Sequence, residues 1–270
     1  MKNLIISMAL CSIFSITASE LTTITSAFKQ KKYPEVLSLF ENFPENATGR
    51  HEAGLYAAMA LFKQNKNHES LELIEQLIKN STEDRAWQCR FKLLKMTVLA
   101  EMNQPQKSLE VLTPENVPPA FLGEFYCMQG KLLNQSGKWR QGIEAFYYGT
   151  RVMNDFAGRA QLLTADTYKA NQLPLPAIES YLKVLSMRHS SMNDRRTAVQ
   201  AAAGLLDNLD LGNEEVDDVL KNYPYELKLT NAEKLLLKGR KLQADLILNE
   251  IISEQRIPLP MRELATAMKN

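Results

Sequence analysis

Between Gly130 and Gly149 the chain reads GKLLNQSGKWRQGIEAFYYG, which holds four glycines, a tryptophan and a lysine directly after a glycine. Glycines ahead of a lysine are the material of a phosphate-binding loop, in which backbone N–H groups cradle the anion and the lysine balances its charge. That loop requires GxxxxGK followed by Ser or Thr. Here position 132 is Leu and Trp139 follows Lys138, so the spacing excludes it. Two His-Glu steps, His51-Glu52 and His68-Glu69, suggest a zinc protease, but HExxH needs a second imidazole one helical turn on. Position 55 is Leu and position 72 is Glu. SxxK occurs at Ser26–Lys29 and Ser180–Lys183 and SMN at Ser191–Asn193, yet the KTG strand that would complete an acyl-transfer site is missing. There is no GxSxG, and the chain has three histidines. Glu214-Glu215 and Asp217-Asp218 read as acids at a helix start, where the macrodipole favours them. These residues point to neither catalysis nor a metal nor a cofactor.

Composition narrows the partners. The 270 residues are 45% hydrophobic and 23% charged with a formal net charge of +1, enough apolar content for a substantial core. Near-neutrality gives no electrostatic reason to expect nucleic acid, or an anionic membrane except indirectly. Lys2, the apolar run Leu4–Ile16 and the small residues of Thr17–Glu20 form the three regions of a secretory signal, with cleavage expected after Ala18 or Ser19. The run is shorter than the roughly 20 residues of a membrane-spanning helix. Residues 1–19 are therefore read as a signal peptide, the alternatives being an uncleaved anchor or an N-terminal core helix. Localisation is then periplasmic or cell-envelope in a bacterium and secreted otherwise. The sequons at Asn46, Asn80 and Asn134 carry meaning only on a eukaryotic secretory route. Cys89 and Cys127 fit neither CxxC nor a zinc spacing; a disulfide between them and a pair of free buried thiols are both open.

The elements that must position these residues emerge from a second spacing. Gly130 is followed by Gly142 twelve residues on and by Phe146 four further. The same small, small, large order recurs in Ala58/Ser70/Ile74, Met96/Ser108/Leu112, Ala165/Ala177/Tyr181, Gly204/Val216/Leu220 and Ala232/Ala244/Leu248, and more loosely in Ile24/Val36/Phe40. Successive first members lie 34, 38, 34, 35, 39 and 28 residues apart. The chain resembles a tetratricopeptide-repeat (TPR) protein over about residues 20–255, in roughly six to seven units, most clearly at 51–80, 124–154 and 158–187. Tyr126 stands where that family often has Trp, while Gln129 and Asp207 depart from its apolar pattern. The resemblance implies an all-α solenoid of antiparallel helix pairs across 20–270, stacked because a lone pair cannot bury its apolar face. Turns rich in Asn, Gln, Lys and Pro, such as Lys63–Glu69 and Asn171–Pro176, agree with it, and no alternation of the strand type is present. Met261–Lys269, beyond Pro258 and Pro260, reads as a C-terminal capping helix.

In that family the first helices of successive units line a groove that holds a peptide or a helix. The matching positions here include Met59, Phe62 and Lys63; Arg90, Thr97 and Glu101; Cys127, Lys131, Asn134 and Gln135; and Arg159, Asp166 and Lys169. The binding candidates among them are Phe62, Lys63, Arg90, Lys131, Asn134, Gln135, Arg159 and Lys169. The Lys-Asn clamp that some members use for a chaperone tail is replaced by Leu21 and Thr25. The function this implies is a non-enzymatic scaffold of the envelope that binds another protein or peptide. Two other readings stand beside it. One is a cell-wall glycan hydrolase or accessory factor using Glu101 and Asp166; the other is a self-assembling structural protein with exposed apolar end repeats.

Overall fold

The computed structural model describes residues 19–208 and 213–270; the proposed signal segment, apart from its last residue, lies outside them. The described residues form fifteen α-helices and no strand, and none of those helices is long and apolar enough to cross a membrane. The chain divides into two compact units between Pro118 and Pro119.

The first unit holds α1 (residues 19–29), α2 (Tyr33–Glu41), α3 (Arg50–Lys63), α4 (Asn67–Asn80), α5 (Arg85–Glu101) and α6 (Pro105–Leu109). Sequential helices pack antiparallel, and α3 also touches α5. Its core runs through Ile24, Val36, Phe40, Ala58, Ile74, Phe91 and Val98. Asp84 starts α5 by accepting the N–H groups of Ala86 and Trp87 at 3.0 and 3.1 Å, which satisfies two donors that the first helical turn leaves open.

The second unit holds α7 (Leu122–Gln135), α8 (Trp139–Arg151), α9 (Phe156–Ala170), α10 (Pro174–Ser186), α11 (Met192–Leu206), α12 (Glu214–Leu220), α13 (Pro224–Leu237), α14 (Lys241–Ser253) and α15 (Leu259–Lys269). Each helix packs on the next, and the first helices α7, α9, α11 and α13 also touch in series, the nearest-neighbour order of an α-solenoid. The exception is α12, only 7 residues long. There α13 packs directly on α11, and α15 returns to lie on α10, α11, α13 and α14. Met261, Leu264 and Ala265 are fully buried in this way, and Arg196 donates to the Ala267 carbonyl at 3.2 Å. The terminal helix thus closes the side of the unit that the short α12 leaves open.

One turn geometry recurs in both units. Lys31, Asn65, Asn103, Gly137, Gln172 and Gly239 all have φ between 56° and 74°, each seven residues after the first member of its triplet. Around every one the same two bonds form. The residue after it donates to the carbonyl five back, as Lys66 does to Leu61 at 3.0 Å. The left-handed residue itself donates to the carbonyl three back, as Asn65 does to Phe62 at 3.0 Å. This is a Schellman closure, which satisfies the last carbonyls of the first helix and reverses the chain into the second. The position that would follow Gly204, residue 211, lies outside the described residues.

At three of these turns the first and second members of the triplet touch. Ser70 Oγ donates to the Ala58 carbonyl at 2.9 Å, and Ser108 Oγ to the Met96 carbonyl at 2.8 Å. A Cβ on Gly142 would lie 2.9 Å from the Gly130 carbonyl and 2.1 Å from Asn134 Oδ1; one on Gly130 would meet the buried Phe146 ring at 2.3 Å. Gly204 is different: it is exposed, with nothing within 4 Å of a Cβ there, because no long second helix lies against α11.

These contacts predict opposite signs at equivalent sequence positions. Gly130→Ala and Gly142→Ala each lower stability by about 1–3 kcal/mol through overpacking, despite the better helix propensity of alanine. Gly204→Ala, free of any clash, raises it by up to about 1 kcal/mol. Gln172→Gly, which relieves a side chain held at φ 59°, stabilises by about 0.5–1 kcal/mol. Urea unfolding midpoints at constant slope measure all four, and a neutral Gly142→Ala would remove the close approach as the cause.

Candidate functional site

Lys131 and Gln135 lie on the exposed side of α7. Arg159 follows on α9, and its guanidinium pairs with Asp194 of α11 at 3.2 Å. Asp194, 6% exposed, also accepts the Ser191 hydroxyl at 2.7 Å, while Ser191 caps α11 by accepting the Asp194 N–H at 3.0 Å. Burial pushes the Cys127 thiol up to about 12, with Lys131 and Arg159 pulling against it and Asp194 and Glu124 reinforcing it. The Arg159 side chain is 42% exposed, so solvent screens the pair and its net contribution is on the order of 1 kcal/mol or less. Lys169 is exposed further along α9.

Asn134 points elsewhere. Its Nδ2 donates to Thr167 Oγ1 at 2.7 Å and its Oδ1 is buried against Gly142, so the carboxamide joins α7 to α9 from within the helix pair. Asn134 Oδ1 occupies the space that a side chain on Gly142 would take, so this candidate is tied to α9 while Lys131 and Gln135 are exposed. In the first unit Phe62 packs against the core beneath the exposed Lys63, whose Nζ lies 5.6 Å from the ring centroid. Arg90 lies over the Trp87 ring at 5.3 Å. Lys131, Asn134, Gln135, Arg159 and Lys169 thus lie in the second unit, and Phe62, Lys63 and Arg90 in the first.

The residues considered for chemistry are dispersed. Asp166 accepts the hydroxyl of the buried Tyr181 at 2.6 Å, and burial together with that carboxylate raises the tyrosine ionisation far above its ordinary value. Glu101 ends α5 in the first unit. His51 sits among the rings of Trp87 and Phe91, with centroids 5.9 and 6.0 Å away. Among the described residues no group of His, Cys, Asp and Glu has the geometry to hold a metal.

One cavity of the first unit lies where the sequence placed no binding candidate. It encloses about 680 Å³ between α4, α5 and α6. One wall is the α4 series His68, Leu71, Glu75 and Ile78; the other is the α5 series Lys92, Lys95, Leu99 and Met102. Both follow i, i+3, i+7, i+10, a single helix face about 15 Å long. Lys95 bridges the two walls by pairing with Glu75 at 2.8 Å. Gln104, Lys107, Glu110 and Val111 close one side. Leucine, isoleucine, methionine and valine make the floor apolar; three lysines, a histidine and two glutamates form the polar edges.

The cause is the length of α6. Second helices α4, α8, α10 and α14 run 13 or 14 residues, whereas α6 has 5. Pro114, Pro118 and Pro119 follow within ten residues of its end and rule out a second helix of the usual length there, since proline lacks the donor N–H and clashes with the preceding turn. Leu112 and Val117 still reach the core, but the lane beside α4 stays open. The proline cluster was the sequence signal for this groove; a count of first-helix positions passes over it. No family model and no curated protein matches the chain.

Cys89 and Cys127 are each buried within their own unit, as thiols outside any disulfide. Ellman's reagent at neutral to mildly alkaline pH is expected to leave both unmodified in the native protein and to react with both after guanidinium unfolding. Rapid native-state reaction of Cys127 would show that its burial is not maintained in solution.

Proposed function

We propose that this protein is a non-enzymatic interaction scaffold that holds an amphipathic helix of another protein, and that the site is the groove between α4, α5 and α6. The observation that carries this reading is the pairing of two helix faces of matched length around an apolar floor with charged edges. Such a lane accepts a helix of about three turns laid in by its apolar face, the helix-in-groove mode of recognition. Lys92 and Lys107 form no ion pair among the described residues, so acidic flanks on the incoming helix would meet unneutralised cations. The tetratricopeptide resemblance supports the same class of function by analogy of fold. The N-terminal signal pattern supports an exported protein working in the periplasm or envelope, or secreted.

Site-specific photo-crosslinking tests the reading. A benzophenone side chain at position 107 is expected to yield a discrete adduct with one partner in envelope extracts, and the same group at Lys79 is not. Leu71→Glu and Met102→Glu, both at partly buried positions, are expected to weaken binding of that partner by about tenfold or more with unchanged helical circular dichroism. Lys131→Glu and Arg159→Glu report on the first-helix face of the other unit. If they abolish the adduct while the groove variants do not, the site is that face and not this groove.

A further inference from the structure

The last helix pair carries an apolar surface that no other described residue covers. α14 turns Ala244, Leu248 and Ile251 into the core, all fully buried. Its opposite face carries Leu242 and Leu246, one turn apart and 83% and 71% exposed, and Leu237 at the end of α13 is 64% exposed. A single exposed leucine is ordinary, but three on one terminal pair form a patch. In a stack of helix pairs the outer face of the last pair needs polar residues or a covering helix, because a bare one is a docking surface. Here α15 has packed on α10, α11 and α13 as well as on α14, and Leu242 and Leu246 remain open.

The charges around this face indicate what covers it. Lys238, Arg240 and Lys241 stand at the N-terminal end of α14, and Glu250 and Glu254 at its C-terminal end. That order opposes the helix macrodipole, which favours acids first and bases last. Some of the charge is satisfied internally, since Lys238 reaches Asp207 at 3.2 Å and Lys228 engages Glu250. Arg240 and Lys241 form no ion pair among the described residues, and Glu254 is met by the N–H of Arg256 at 3.1 Å.

We infer that a second copy of this chain docks here, through an antiparallel pair of α14 helices related by a two-fold axis. Antiparallel pairing sets leucine against leucine, the basic end of each α14 against the acidic end of the other, and the two macrodipoles head to tail. One surface serves both copies, so the assembly closes at two. A 13-residue helix spans about 20 Å, and one helix pair falls at the small end of specific interfaces. The dimer is therefore concentration-dependent rather than permanent.

Sedimentation velocity over about a hundredfold range of concentration tests this on the whole protein. Wild type is expected to pass from monomer to dimer. Leu242→Glu and Leu246→Glu, which alter side chains already in solvent, are expected to keep the thermal midpoint and weaken association by about tenfold or more. Arg240→Glu with Lys241→Glu makes α14 acidic along its length; Glu250→Lys with Glu254→Lys makes it basic. Neither variant is expected to self-associate, and an equimolar mixture is expected to form a heterodimer. A wild type that stays monomeric across the range, or leucine variants that dimerise as well as wild type, would overturn the dimer. Loss of dimer in both charge variants with no recovery on mixing would overturn the antiparallel arrangement.

Discussion

Two helices can share a core only as closely as their backbones can approach, and here that approach is set by the Schellman turn between them. At six turns a residue in the left-handed region ends the first helix, and two backbone bonds lock the reversal. With the turn fixed, the residue seven before it is paired with the residue five after it, and at five of the six turns at least one of the two is Gly, Ala or Ser. Glycine at 130 and 142 lets the helices touch through backbone; Ser70 and Ser108 instead bond to the facing carbonyl. The large residue four positions on then fills the hole beside the pair, as Phe146 does against Gly130. Core, groove and charged faces all inherit their positions from this reversal.

The features that suggest function arise where second helices fall short of the usual length. α6 has only 5 residues, with prolines soon after it, and an amphipathic lane along α4 and α5 stays open. In the second unit α12 has 7 residues, and α15 folds back to cover α10 and α11. That return leaves the outer leucines of α14 in water. A stack of uniform pairs would fill the first lane, and a helix laid over its last pair would cover the second surface.

The helical class, the spacing of the pairs and the turn positions were legible in the sequence because all three depend on neighbours within about 16 residues. Local spacing misleads where the partner is missing or distant. Gly204 matches its counterparts in the triplet pattern and touches nothing, since the α12 that should meet it is short. Asn134 sits one turn from Lys131 and reads as the same outward face, yet its carboxamide lies against Gly142 and donates to Thr167. Asp166 reads as a free acid and is held by Tyr181, 15 residues away on the next helix.

By itself the sequence determined that this chain is helical, with helices packed in sequence, and where several of them turn back. These follow from helix periodicity, left-handed turn residues and side-chain volume, all properties of a short stretch of chain. Tertiary structure alone decided which faces stay open. Whether a helix side is covered depends on the length and path of helices elsewhere in its unit, as with the α4–α5 lane beside a truncated α6 and the α14 leucines beside a diverted α15. Exposure is a property of the assembled unit, and no window of residues contains it.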